Sequence, residues 1–340
     1  MRLLDRLSAL QLIVVAGKGG VGKTAVSSAL GTLLARAGRR TLVLEVDPRD
    51  NVHQMLGVEP SGGAIVPAAP RLWAQNLKPG RVLDDIVRER LRIELLARRV
   101  LASPIYQHFS AGAPGLQELA ILGHALRLVR GRGGEGAPEL DTVVLDAPAT
   151  GHGVRLLAAP RLVAEVIRSG PFGALAGELA GWLADDARAG TLVVTQAEEM
   201  PVEESLELRA ALADLLGREP LALIVNGLYP PLAADESAGR TAAGATAAPA
   251  VGAPDLDPAL LALWRDRRRL NERELAHLAA RWPGLRIELP LLPLDRGPGL
   301  VTALTVCLAP ALAADDSAPP SPSPASPTAP PPASPERPSA

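Results

Sequence analysis

Residues 11–24 read QLIVVAGKGGVGKT, and this stretch decides the fold. Gln11–Gly17 is a short apolar run ending in glycine, the pattern of a strand buried on both faces. Gly17–Thr24 then fits G-x-x-x-x-G-K-[ST]. Behind it, apolar residues at Val26, Leu30, Leu33, Leu34 and Ala37 keep helical spacing, and Gly38 supplies a C-terminal stop. A buried strand, a glycine loop and a helix in that order make a phosphate cradle. The glycines let backbone N–H groups curl toward phosphate oxygens, and the helix N-terminus adds its positive end. The candidate nucleotide-binding residues are Gly17, Gly19, Gly20, Val21, Gly22, Lys23, Thr24 and Ala25. Lys23 would place an ammonium against the β- and γ-phosphates of ATP, and Thr24 would offer a hydroxyl to Mg²⁺.

The choice of cation supports this reading. Lys and Arg together number 35, yet only Lys18, Lys23 and Lys78 are lysine. Two of the three lie in the loop. An arginine at position 23 would be a planar fork, too large for the interior of the loop. A generic phosphate loop has no need of lysine at position 18.

Outward from the loop, "TLVLEVD" (Thr41–Asp47) is a second buried strand. "TVVLDAP" (Thr142–Pro148), "TLVVTQ" (Thr191–Gln196) and "LALIVNG" (Leu221–Gly227) repeat the pattern, and "LRIELPLLP" (Leu285–Pro293) is a sixth candidate cut short by its prolines. Helical segments separate them. The expected fold is α/β, a mostly parallel sheet with helices on both faces, as one domain over residues 1–314. Between the second and third core strands, about 51–136, Arg81–Leu101 is amphipathic and Leu116–Val129 is mostly apolar, which predicts a helical subdomain. Residues 233–253 are rich in Ala, Gly, Thr and Pro and read as a flexible surface insertion. Residues 315–340 are dominated by Pro, Ser and Ala and cannot bury enough apolar surface to fold, so a disordered tail is expected.

Composition narrows the function classes. Apolar residues make up 47 % but aromatics only 2 %, so the core is aliphatic. The net charge of −2 argues against nucleic acid as a partner. The single Cys307 excludes an intramolecular disulfide and a CxxC zinc pair, and suits a reducing cytoplasm. "MRLLDRLSAL" lacks the apolar stretch of a signal peptide. Gly297–Ala314 is uncharged, but its early Gly and Pro and its internal Pro310 read as a loop and a buried terminal helix, not a membrane span.

Lys18 together with Lys23 resembles the deviant Walker A loop. That loop marks the ATPase class of the partition ATPases, the nitrogenase iron protein and the ArsA-type anion-transporting and tail-anchored-protein-targeting ATPases. The resemblance implies that Lys18 reaches across a dimer interface to the partner's phosphates, doing in trans what an arginine finger does elsewhere. "EVDPRDNVHQMLG" (Glu45–Gly57) resembles the ArsA-family switch I, which begins Asp-Pro-Ala-His. Asp47 and Pro48 match, whereas Arg49 and Asp50 depart from it. "LDAPATGHGVRLL" (Leu145–Leu157) closely resembles switch II.

By that resemblance Asp47 positions the attacking water and Asp146 holds Mg²⁺ through a water. Thr150, Gly151 and His152 would sense the γ-phosphate, with His152 a structural hydrogen-bonding residue. Asn226, in "IVNGLYP", stands where the family reads adenine, and the loop near Pro293 would flank the same base. The likeness runs from about Gln11 to Leu312.

The implied function is a Mg²⁺-dependent ATP hydrolase, a homodimer or a heterodimer with a related ATPase, acting on a hydrophobic or membrane-protein client. Cysteine ligands for a metalloid are missing, as is the dimer-clamping CxxC. Ser103–Leu126 matches the client-groove region, where Ile105, Tyr106, Phe109, Leu116, Leu119, Ile121 and Leu122 line either a groove or the subdomain's own core. Two alternatives stand beside this reading. One is a weakly active subunit paired with a sister ATPase, motivated by Arg49 and Asp50. The other is a partition-type spatial regulator, disfavoured by the absence of a basic surface and of an amphipathic membrane-targeting tail.

Overall fold

The computed structural model describes residues 2–47, 49–91, 93–104, 107, 115–134, 136–148, 152–167, 170–232 and 257–314. The expected insertion at 233–253, the tail at 315–340, and Pro48, Ile105, Tyr106, Phe109, Thr150 and Gly151 lie outside the described residues.

The apolar run after Gln11 forms β1 (Leu12–Gly17), buried along its whole length. Its neighbours are β5 (Thr142–Asp146) and β6 (Ala189–Thr195), both parallel to it. Alternation along β1 divides the core. Leu12, Val14 and Ala16 point to one face and Ile13 and Val15 to the other. A strand covered on both sides has no need of polar residues, which is why it reads as a continuous apolar run.

On the first face pack α6 (Leu116–Val129), α7 (His152–Val166), α8 (Gly170–Ala184) and α9 (Glu199–Leu216), through Leu119, Leu156, Leu179 and Leu206 among others. On the second pack α1 (Leu3–Ala9), α2 (Lys23–Arg36) and α11 (Pro298–Ala313), through Leu7, Leu30 and Leu308. Each leucine buried this fully contributes about 1.5–3 kcal/mol. The uncharged C-terminal segment is thus a packed helix, and no described helix is long and apolar enough to cross a membrane.

The sheet continues through β2 (Thr41–Glu45), which pairs parallel with β5. It continues on the other side through β7 (Ala222–Leu228) and β8 (Arg286–Pro290), also parallel. With β3 (Val66–Ala69) and β4 (Leu72–Asn76), eight strands run in the order β3-β4-β2-β5-β1-β6-β7-β8, and only the β3–β4 pair is antiparallel. This is an α/β fold, a mostly parallel sheet with helices on both faces, of the P-loop NTPase kind. Strands that share a direction bring their C-terminal ends to one edge, where ligands of such sheets bind.

The stretch 51–136 is not helical throughout. It begins with α3 (Asn51–Leu56) and the β3–β4 hairpin, whose turn places Arg71 at φ 62°. β4 then joins β2 in parallel register. Helices follow as α4 (Pro79–Leu91), α5 (Glu94–Leu101) and α6, so the amphipathic run Arg81–Leu101 is two helices. Of the described groove candidates, Leu116, Leu119, Ile121 and Leu122 are buried in the protein's own core. The last helix before β8 is α10 (Pro258–Arg281), capped by the Asp257 carboxylate, which accepts from Ala259 N.

Candidate functional site

The end of β1 passes into the glycine loop. Gly17 has φ 149°, and a Cβ there would lie 2.1 Å from Val194 O, so only glycine lets β1 run this close to β6. Gly22 has φ 94° and forms the N-cap of α2. A Cβ at Gly22 would meet Asn226 Nδ2 at 2.3 Å. Lys23 opens the helix, largely buried, and its ammonium donates to Lys18 O at 2.9 Å. The side chain is folded back across the mouth of its own loop. Burial holds its pKa below the ordinary lysine value, opposed by the nearby charges of Asp146 and Asp47.

Asp146 ends β5 beside this loop. Thr24 Oγ1 donates to Asp146 Oδ2 at 2.6 Å, and Ser27 Oγ donates to Oδ1 at 3.1 Å. Burial pushes the Asp146 carboxyl up to about 6, against the pull of Thr24, Lys23 and Ser27. Ser27 was not singled out from the sequence. Its signal is spacing, since residues three apart on a helix share a face and Ser27 is one turn beyond Thr24. A hydroxyl and a carboxylate are hard oxygen donors, so Thr24 and Asp146 fit Mg²⁺.

Asp47 follows β2 and lines the same cleft, of about 650 Å³, with Lys23, Thr24 and Asp146. Its Oδ1 accepts from Arg49 N at 2.8 Å, which closes a tight turn. That turn is held from behind by Asn76 at the end of β4. Asn76 Nδ2 donates to Asp47 O and Asp50 Oδ1, each at 2.9 Å, and to Arg49 O at 3.3 Å. Asn76 is fully buried and was not legible as a site residue. Beneath the turn, Glu45 accepts from Val52 N at 3.1 Å, and burial raises its carboxyl to about 8.

Asn226 Nδ2 donates to Val21 O at 2.9 Å, so its amide braces the glycine loop at the edge of the cleft. Beyond it the wall turns apolar, with Pro290, Leu291, Leu292, Leu294 and Leu300. Pro293 sits in this loop but is exposed and does not line the cleft, whereas the leucines on either side do. Lys18 does not line it either. Its Nζ pairs with Glu204 Oε1 on α9 at 2.7 Å. Gly19, Gly20, Gly22 and Ala25 line the cleft, while Val21 is buried beneath the loop. His152 opens α7. Thr150 and Gly151, like the side chain of His152, lie outside the described residues.

Residues 10–170 match a family model described as anion-transporting ATPase. Proteins similar to this chain include the ATPase BagA of Mycobacterium tuberculosis, 29 % identical over 62 % of this chain and 63 % of that protein. The arsenical pump-driving ATPase of Escherichia coli is 28 % identical over 64 % of this chain and 39 % of its own length. The ATPase ASNA1 homolog of Dictyostelium discoideum is 28 % identical over 51 % of each. The chain therefore matches less than two thirds of the length of each of these relatives. The matched segment contains the glycine loop, the Asp47 turn and Asp146, whereas Asn226 and Pro293 lie beyond it.

Proposed function

We propose that this chain binds ATP with Mg²⁺ in the cleft and hydrolyses it to ADP and phosphate, working as a dimer in which each copy completes the other's site. The observation that carries this reading is the Thr24–Asp146–Ser27 cluster beside the buried Lys23. It joins a cation-holding pair to an anion-holding loop at the C-terminal edge of a parallel sheet. The name of the pump-driving relative supports nucleotide-powered work on a partner protein.

Loop amides and the Lys23 ammonium bind the β- and γ-phosphates. Lys23 Nζ leaves Lys18 O to do so, exchanging one hydrogen bond for contacts with full charges, which are stronger. Thr24 and Asp146 would hold Mg²⁺, which would supply charge neutralisation on the phosphate oxygens. Asp47, fixed by Arg49 N and Asn76, orients a water for in-line attack on the γ-phosphorus. Lys18 of the second copy adds a cation to the charge that develops in the transition state. Asn226 and the leucine-lined end of the cleft receive the adenine.

Nucleotide binding by the purified chain tests the reading. Wild type should bind an ATP analogue with Mg²⁺, and Lys23→Ala should bind at least about 100-fold more weakly, since a charge-assisted contact inside a buried loop is lost. Equal affinity in the two proteins, or no binding by wild type at millimolar nucleotide, would contradict it.

A further inference from the structure

We infer that Glu45, Asp50 and His53 form a second cation site, suited to a divalent transition metal of the zinc type, behind the Asp47 turn. It is independent of the nucleotide reading. The three side chains place one ligand atom each within 4.8 Å of the others.

His53 lies on α3 and is wholly buried. Its tautomer follows from its neighbour. Ser61 Oγ donates to Ala64 O at 2.7 Å, so the same oxygen is left to accept from His53 Nε2 at 3.2 Å. Nδ1 then carries a lone pair. That lone pair faces Glu45 Oε1 and Asp50 Oδ1, each at 3.9 Å, and has no hydrogen-bond partner. Glu45 Oε2 is also buried without a partner.

His53 Nδ1 and Glu45 Oε2 are thus buried polar atoms without a partner, and groups left this way are costly. A single proton does not repair the arrangement, because it can bridge only one pair of the three ligand atoms at a time. A metal does. Two donors on one tetrahedral zinc stand about 3.3 Å apart, so each 3.9 Å separation would have to close by roughly 0.6 Å as the ion draws its ligands in. An imidazole with two carboxylates favours zinc-type ions over Mg²⁺ or Ca²⁺. The Ser61 contact is the outer hydrogen bond that orients a metal-binding histidine. Glu45 also borders the cleft, which gives an ion a way in and leaves a position for water. Bound there, the ion would tie the end of β2 to the start of α3 and stiffen the turn between them.

The test uses the full chain, stripped of metal and free of nucleotide, titrated with Co²⁺ by visible absorption and then with Zn²⁺ by calorimetry. One Co²⁺ per chain should give ligand-field bands and be displaced by Zn²⁺. Asp50→Asn keeps the Asn76 contact and should weaken binding by at least about tenfold. His53→Gln should abolish it. Thr24→Ala should leave it unchanged, which separates this ion from one in the glycine loop. If His53→Gln does not fold, the wild-type titration and Asp50→Asn still decide. Absence of stoichiometric Co²⁺ and Zn²⁺ binding by wild type, undiminished binding in Asp50→Asn, or loss of binding in Thr24→Ala overturns the inference.

Discussion

Lys18 Nζ lies 2.7 Å from Glu204 Oε1, so the unusual lysine of the glycine loop is paired within its own chain. The two side chains are 26 % and 30 % exposed, and a pair this open to water contributes at most about 1 kcal/mol. That is enough to park the ammonium and too little to trap it. Glu204→Gln should shift the melting temperature by less than about 4 °C. It should raise ATP turnover by up to about fivefold, because the restraint on Lys18 is gone. Turnover at or below the wild-type rate would show that the pair does not restrain Lys18.

Asn76 holds the Asp47 turn through three acceptors from a fully buried position. Asn76→Ala leaves those acceptors without their donor and should cost about 1–3 kcal/mol in urea denaturation. The glycine loop does not depend on Asn76, so kcat should fall by more than about tenfold while KM for ATP stays near its wild-type value. A matching rise in KM would place Asn76 in nucleotide binding instead.

Asp47→Asn keeps an oxygen to accept from Arg49 N, so the turn survives while the charge goes. ATP should still bind, and turnover should fall by at least about 100-fold. Dimers should accumulate with ATP, measured by light scattering. Hydrolysis at the wild-type rate would remove Asp47 from the chemistry.

His124 on α6 donates from Nε2 to Gln75 Oε1 at 2.9 Å, and burial holds its pKa down at about 4. In the unfolded chain the imidazole titrates near 6.5. Between those values the unfolded state binds more protons, so this group makes stability fall as pH drops from about 6.5 to about 4. His124→Gln should lose less stability than wild type between pH 7 and pH 5 in denaturant titrations. An equal loss in both proteins would show that His124 does not titrate in this range.

The strands legible in the sequence were those with continuous apolar runs. β1, β2, β5, β6 and β7 lie inside the sheet with their apolar runs buried on both faces, and a glycine or aspartate marks the end of the run in β1, β2, β5 and β7, Thr195-Gln196 in β6. β3 and β4 escaped because Ala, Pro and Asn carry little strand preference, and Val66–Asn76 is too short to show a clear period. Lys23, Thr24 and Asp146 could be singled out because binding a phosphate and Mg²⁺ would demand those residue types in that context. Ser27, Asn76 and Glu204 were not, because each acts through a partner distant in sequence that only the folded sheet brings near. Asn226 lies in β7, two residues before its end, and its packing on Gly22 and its bond to Val21 O were invisible in the sequence.

A mixing experiment addresses the proposed sharing of the nucleotide site most directly. Lys18→Ala and Asp47→Asn proteins, each nearly inactive alone, are combined and assayed for phosphate release. A mixed dimer holds one complete site, made of Asp47 from one copy and Lys18 from the other. If Lys18 acts on the neighbour's nucleotide, the mixture should recover roughly a quarter of wild-type turnover, since about half the dimers are mixed and each has one complete site. A mixture no faster than its separate components would contradict a lysine that works across the interface.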